Sequence, residues 1–228
     1  MSKFVKALQG PNYSVIYIDY EGKKYLFSGG TWAWRNHNPG NLRPGKFSRK
    51  HGQIGSIIDQ RGSYLAAFPD YEHGHEALEV LLKTDSYQNL SLDAVIAKYA
   101  PSIENNTTQY QELVLKKVKV SGNTKLKDLS SEEFMGLVKA IEQEEGDRSG
   151  KIEKISEVQQ IQRDKTGAIS DYCCSSFAWL SKEEALKLAS QGKIDATVCI
   201  PQKGAPYLRA SSGGIPFCKL PTKKENHE

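Results

Sequence analysis

The sequence predicts an α+β protein: a mostly helical lobe with an N-terminal β-hairpin, followed by a small βαβ-like C-terminal domain. Three observations predict it. β-Favouring residues alternate over 13–20, break at Glu21-Gly22 and resume over 23–28, the signature of a hairpin. Four stretches between Asp70 and Gly146 then carry apolar residues at helical spacing behind capping residues. A polar, glycine-containing stretch, 147–154, separates these helices from a second set of strand signals. Irregular loops and strands followed by a run of helices is the α+β order. The divisions expected are 1–30, 31–150 and 151–228.

Each element has a local reason. Residues 35–62 hold many Gly, Pro, Asn and Arg with little periodicity, so they read as irregular loop with short strands. A helix follows Pro69-Asp70, with Ala77, Leu78, Leu81 and Leu82 inward. A second runs from a Ser91 cap to Ala100 and is stopped by Pro101. A third begins near Thr108, where Gln111 completes a Thr-x-x-Gln box, and a fourth at the Ser130-x-x-Glu133 capping box. Beyond the boundary, 155–169 is strand-rich, Ser181-x-x-Glu184 caps a short helix ended by Gly192, and 196–200 and 207–209 are strands. The polar tail 219–228 is expected to fray.

Composition narrows the function. At 228 residues, 38% hydrophobic and 25% charged, the chain is long enough for a real core. The net charge of +4 is mild, and no basic run is interleaved with aromatics, which argues against nucleic acid. No apolar run approaches a membrane span, and the first six residues carry no apolar stretch behind their lysines, so no secretory signal is expected. Cys173, Cys174, Cys199 and Cys218 include no Cys-x-x-Cys pair, so neither a zinc site nor a disulfide scaffold is expected; their redox state stays open. His37, His51, His73 and His75 all lie in the first lobe and His227 in the tail, which leaves a cysteine nucleophile without a base. No metal or cofactor is predicted.

The most informative residue is Glu145. Phe134, Leu137, Val138 and Ile141 form the apolar stripe of the fourth helix, and the next member of that stripe is Glu145, followed at once by Gly146 as a C-cap. A carboxyl on a buried helix face, at the negative end of the helix dipole, is expected to hold its proton more tightly than usual. A general acid needs that property. Glu144 leaves a one-residue ambiguity that the helical phase resolves in favour of Glu145. The bland alternative is a stripe that ends at Ile141 and a solvated last turn.

The segment Trp34-Arg35-Asn36-His37-Asn38-Pro39-Gly40-Asn41-Leu42-Arg43 resembles the opening of lysozyme-like peptidoglycan hydrolases found in phage particles and among type VI secretion antibacterial effectors. Gly52-Gln53-Ile54-Gly55, then Leu65-Ala66-Ala67-Phe68-Pro69-Asp70, Tyr99-Ala100-Pro101, Glu104-Asn105-Asn106-Thr107-Thr108-Gln109-Tyr110 and Ala140-Ile141…Glu145-Gly146…Gly150 continue the likeness in order over about 25–150. The family's Trp after Glu-Gly is Asp147 here, and His37 replaces an Asn. A weaker likeness to a small domain of unknown function spans about 155–211.

The resemblance implies a lysozyme-like lobe, circularly permuted so that the acid-bearing helix comes last. It implies cleavage of the β-1,4-linked glycan strand, with Glu145 as acid and Glu104 as the first candidate for a second carboxylate. Glu72 and Glu76 are lesser candidates. Tyr110, Asn38, Asn41, Arg43 and Arg35 are candidate substrate contacts, although Asx residues beside Pro and Gly also shape turns. A lytic transglycosylase, or a catalytically silent wall-binding or particle protein, are the alternatives. Expected partners are peptidoglycan, a cognate immunity protein and a secretion-spike protein, for a monomer exported by a secretion apparatus or phage route.

Overall fold

In the computed structural model, which describes residues 3–99 and 107–223, the elements run in chain order. They begin β1 (Phe4–Gln9), β2 (Val15–Asp19), β3 (Lys24–Ser28), α1 (Trp32–Arg35), α2 (Lys46–Lys50), β4 (Gly55–Ile58), β5 (Tyr64–Ala67) and α3 (Tyr71–Leu82). Next come α4 (Asp85–Gln88), α5 (Leu92–Tyr99), α6 (Thr107–Val118) and α7 (Ser131–Glu145). The remainder is β6 (Lys151–Lys154), β7 (Val158–Arg163), β8 (Ile169–Cys174), β9 (Phe177–Ser181), α8 (Lys182–Ser190), β10 (Ala196–Cys199) and β11 (Tyr207–Ala210). Helix and strand occur in comparable amounts, 35% and 28%, so the protein is mixed α/β with several small antiparallel sheets, and the weight the expected α+β fold gave to a mostly helical lobe is corrected. Strands such as Gly55–Ile58 and Lys151–Lys154 are four residues long. That is too short for alternation to register against long amphipathic helices.

The chain divides into two compact units, Met1–Leu8 with Ser28–Gly150, and Gln9–Phe27 with Lys151–Glu228. The hairpin expected as a separate N-terminal element therefore belongs with the C-terminal residues. Its register pairs Val15 with Phe27 and Tyr17 with Tyr25. Asp19 makes the turn, its Oδ1 accepting from the backbone N–H of Glu21 (3.0 Å) and Lys23 (2.9 Å). In this unit β2, β3 and β6 lie side by side, and the Lys24 ammonium reaches Asp195 at 2.6 Å.

The C-terminal strands form an antiparallel β7-β8-β9 sheet and a β10-β11 hairpin. The predicted βαβ-like unit is corrected too. Helix α8 joins β9 to β10, strands of different sheets, whereas a βαβ unit needs parallel neighbours. The Ser181–Glu184 capping box forms as expected, and α8 packs Ala185 and Ala189 into a core with Ile161, Tyr172 and Leu208.

The first unit holds the larger core. Leu78, Leu92, Ile96, Val114, Leu126, Leu137 and Ile141 are all essentially inaccessible to solvent. Ser91 caps α5 as read from the sequence, and α3 begins after Asp70 as expected, with the Asp70 side chain as its N-cap. Helix α4 was not foreseen, and the box expected at Thr108 falls on a side chain outside the described residues. The Gln111 amide donates to the Asp93 carbonyl of α5 at 3.0 Å. Among the described residues no helix is long and apolar enough to cross a membrane.

Candidate active site

Helix α7 is built to present its last residue. Ser130 Oγ accepts from the Glu133 N–H while the Glu133 carboxylate accepts from the Ser130 N–H, a complete capping box. The stripe Phe134, Leu137, Val138, Ala140 and Ile141 is buried, and Gly146 ends the helix at φ 85°, a left-handed value suited to glycine. The end is pinned from outside. Thr31, the N-cap of α1, donates its hydroxyl to the Gly146 carbonyl (3.0 Å) and its N–H to the Arg148 carbonyl (2.9 Å). A Cβ at Gly30 would collide with the Arg148 carbonyl, so the two chain segments approach closely only because residue 30 is glycine.

Glu145 lies half-buried on this fixed end and lines a groove of about 570 Å³. Glu144 turns away to pair with Lys117 at 2.8 Å and does not line the groove. The groove is walled by Trp32, Phe47, Leu65, Tyr87 and Tyr99, and polar groups come from Asn41, Asp59, Gln60 and Arg61. Arg43 and Lys98 add positive charge. Aromatic walls with a few convergent polar groups are the usual make-up of a ligand site.

The Asn-Pro-Gly-Asn loop forms one rim, and its residues divide by role. Asn38 is fully buried; its amide donates to the carbonyls of Leu42 (3.0 Å) and Ala66 (2.9 Å) and accepts from the Leu42 N–H (2.9 Å). It braces the loop and lies outside the groove lining, which corrects its candidacy as a substrate contact. Arg35 is corrected likewise: its guanidinium is stacked 4.0 Å from the Trp32 ring and donates to the Gly29 carbonyl at 2.8 Å. Asn41 is the member that faces the site. Its φ of 45° is left-handed, where Asn is tolerated, and its Nδ2 donates to Glu145 Oε2 at 2.7 Å. No donor reaches Asn41 Oδ1 among the described residues, so the amide can turn over and accept from Glu145 when that carboxyl carries its proton. A Cβ at Gly40 would crowd the Tyr99 hydroxyl, which donates to the Gly40 carbonyl.

Glu104 lies outside the described residues. Tyr110 falls in α6, but its side chain also lies outside the description. Glu72 and Glu76 are exposed on α3 and do not line the groove. The sequence reading passed over Asp59, which closes the β4–β5 turn. Its Oδ1 accepts from the N–H groups of Arg61 and Ser63, both at 2.8 Å, and it lines the same groove as Glu145. The Asp-x-x-Gly turn at 59–62 was the available signal, but such turns are common and nothing local ties one to a site 86 positions away in the chain.

Among the described residues no cluster of three or more His, Cys, Asp or Glu side chains suits a metal ion. The Cys174 thiol is pushed up to about 11 by burial and then by its neighbour Cys173, which keeps it protonated and a poor nucleophile. No protein-family model matches this chain, and no curated protein matches it significantly.

Proposed function

We propose that this protein cleaves the glycan strand of peptidoglycan, with Glu145 as the general acid. The observation that carries the reading is a glutamate held at a rigid helix end, hydrogen-bonded to a reversible amide, in an aromatic-walled groove large enough for several sugar residues. Breaking a β-1,4 bond requires protonation of the leaving oxygen while positive charge develops on the ring. Glu145 supplies the proton, and Asn41 follows the change in protonation by turning its amide. Asp59, fixed by the turn through one oxygen, is, among the described residues, a second carboxylate of the groove available to assist water or stabilise the cationic ring. The aromatic walls accept the apolar faces of pyranose rings.

The order of elements, with the β4–β5 hairpin before the acid-bearing helix, supports the permuted lysozyme-like arrangement implied by the sequence motifs. Antibacterial use, an immunity protein that plugs the groove, and export through a secretion apparatus belong to the same proposal. Digestion of purified peptidoglycan by the wild type and by Glu145→Gln, with products resolved by mass spectrometry, tests it. Soluble muropeptides from the wild type alone support the reading, and reducing ends identify hydrolysis while anhydro ends identify a transglycosylase. Equal digestion by both proteins removes Glu145 as the acid. No digestion by either folded protein removes the enzymatic reading.

A further inference from the structure

Helix α7 carries a second carboxylate that the groove does not use. The Glu142 side chain is only 11% exposed. Its Oε1 lies 2.6 Å from His75 Nδ1, and its Oε2 accepts from the Tyr71 hydroxyl at 2.8 Å. His75 Nε2 lies 3.1 Å from Glu79. Tyr71, His75 and Glu79 recur every fourth residue, so one face of α3 supplies all three. The Tyr71 and His75 rings are stacked with centroids 5.9 Å apart.

This network borders a cavity of about 280 Å³ lined by Ala33, Trp34, Pro39, Tyr71, Glu142 and Asp147; Lys139 is the one cationic residue in its lining among the described residues. Two carboxylates against one ammonium leave the lining net negative, and two aromatic residues, Trp34 and Tyr71, line the same space. The Tyr71 phenol is held well above its usual range, by burial first and then by Glu142, Asp147 and Glu72, which reports the same negative surroundings. A ring face next to carboxylates attracts a cation twice over, through the ring quadrupole and through charge.

We propose that this cavity binds an organic cation, an ammonium group on an aliphatic arm, between Trp34 and Tyr71 with Asp147 and Glu142 as counter-charges. Glu142 is already fixed by Tyr71 and His75 and acts as a rigid wall, whereas exposed Asp147 is the charge free to close on the ligand. The proposed source of the cation is the free amino group of the diamino acid on a wall peptide stem. Helix α1 presents Trp32 to the groove and Trp34 to the cavity, and α7 presents Glu145 and Glu142 about one turn apart. The same two helices thus line both the groove and the cavity. This choice of source rests on the proposed function; the cation site itself does not.

The test is an NMR titration of the full chain with Nα-acetyl-lysine amide, following the Trp34 indole N–H, with the Nε-acetylated probe in parallel. The expected result is saturable shifts with the amine, at least tenfold weaker binding of the acetylated probe, and a comparable loss in Asp147→Asn. Equal binding of both probes, or no saturable shift at Trp34, overturns the site. Asp147 is exposed, so its variant is expected to fold; Tyr71→Phe provides a second substitution that keeps the ring. Repeating the titration with a muropeptide whose stem amine is free or acetylated tests the source, and no preference between them overturns it. Retained wall cleavage by Glu145→Gln would sink the proposed function while leaving the lysine-amide result standing.

Discussion

Glu142 and Glu145 stand three residues apart on one helix, yet their surroundings differ in kind. Glu142 has both oxygens held, by the Tyr71 hydroxyl and His75, beside a small cavity. Glu145 accepts from the Asn41 amide and faces a groove twice as large. A carboxylate locked by two partners orients its neighbours. One that meets a turning amide at the edge of open space can gain and lose a proton in contact with a ligand. What separates the two carboxylates is access: Glu142 is held against α3, and Glu145 opens on the larger groove.

Exchange of each residue sharpens that contrast. Glu145→Gln is expected to lower peptidoglycan cleavage by about 10²–10⁴-fold, the usual worth of a positioned acid, with an unchanged melting temperature. Muropeptide release and thermal melts measure the two halves of the claim. Leu137→Ala, on the buried stripe behind Glu145, is expected to cost about 2–5 kcal/mol of stability in the first unit, seen in denaturant titration. Glu142→Gln should cost about 1–3 kcal/mol by disturbing Tyr71 and His75, and should lower cleavage far less than Glu145→Gln does. Equal losses of cleavage from the two glutamine variants would break the comparison.

The smallest effect lies at the far end of the helix. Ser130→Ala is expected to cost about 1 kcal/mol by removing the cap. It also carries a pH signature. Hydrogen bonds from the Ser130 backbone and then its side chain hold Glu133 below the usual carboxylate range. A depressed folded-state value contributes stability above the ordinary glutamate value and loses it as pH falls through the lowered one. The Ser130→Ala penalty should therefore shrink in acid, and a penalty that grows below pH 4 on melting would contradict the capping geometry.

The two units also differ in how plainly they could be read. In the first, the caps at Ser91 and Ser130, the start of α3 after Asp70 and the stripe of α7 are local patterns, and the structure holds them where the sequence indicated. In the second, the capping box of α8 and the β2–β3 hairpin were equally legible, but the pairing of strands was not. Nothing within 196–211 specifies whether β10 joins the sheet of β8 or pairs with β11, because strand partners are chosen by burial across the whole unit. The membership of the hairpin escaped for the same reason: its turn is local, and its company is not.

For the site, local sequence determined that a glutamate would end an apolar helical stripe and that a glycine would stop the helix there. It also determined that Asn38 and Asn41 flank a Pro-Gly turn, but not which of the two turns inward. That depended on Leu42 and Ala66 offering buried carbonyls to Asn38, which left Asn41 in a left-handed conformation facing Glu145. Asp59 and Glu142 gained their places in the same way, one from a hairpin turn and one from a face of α3 far away in the chain. Helical phase and capping are set within a few residues of the chain, so the sequence by itself determined them. Convergence of charges on a groove depends on which surfaces pack together, and only the tertiary structure decided it.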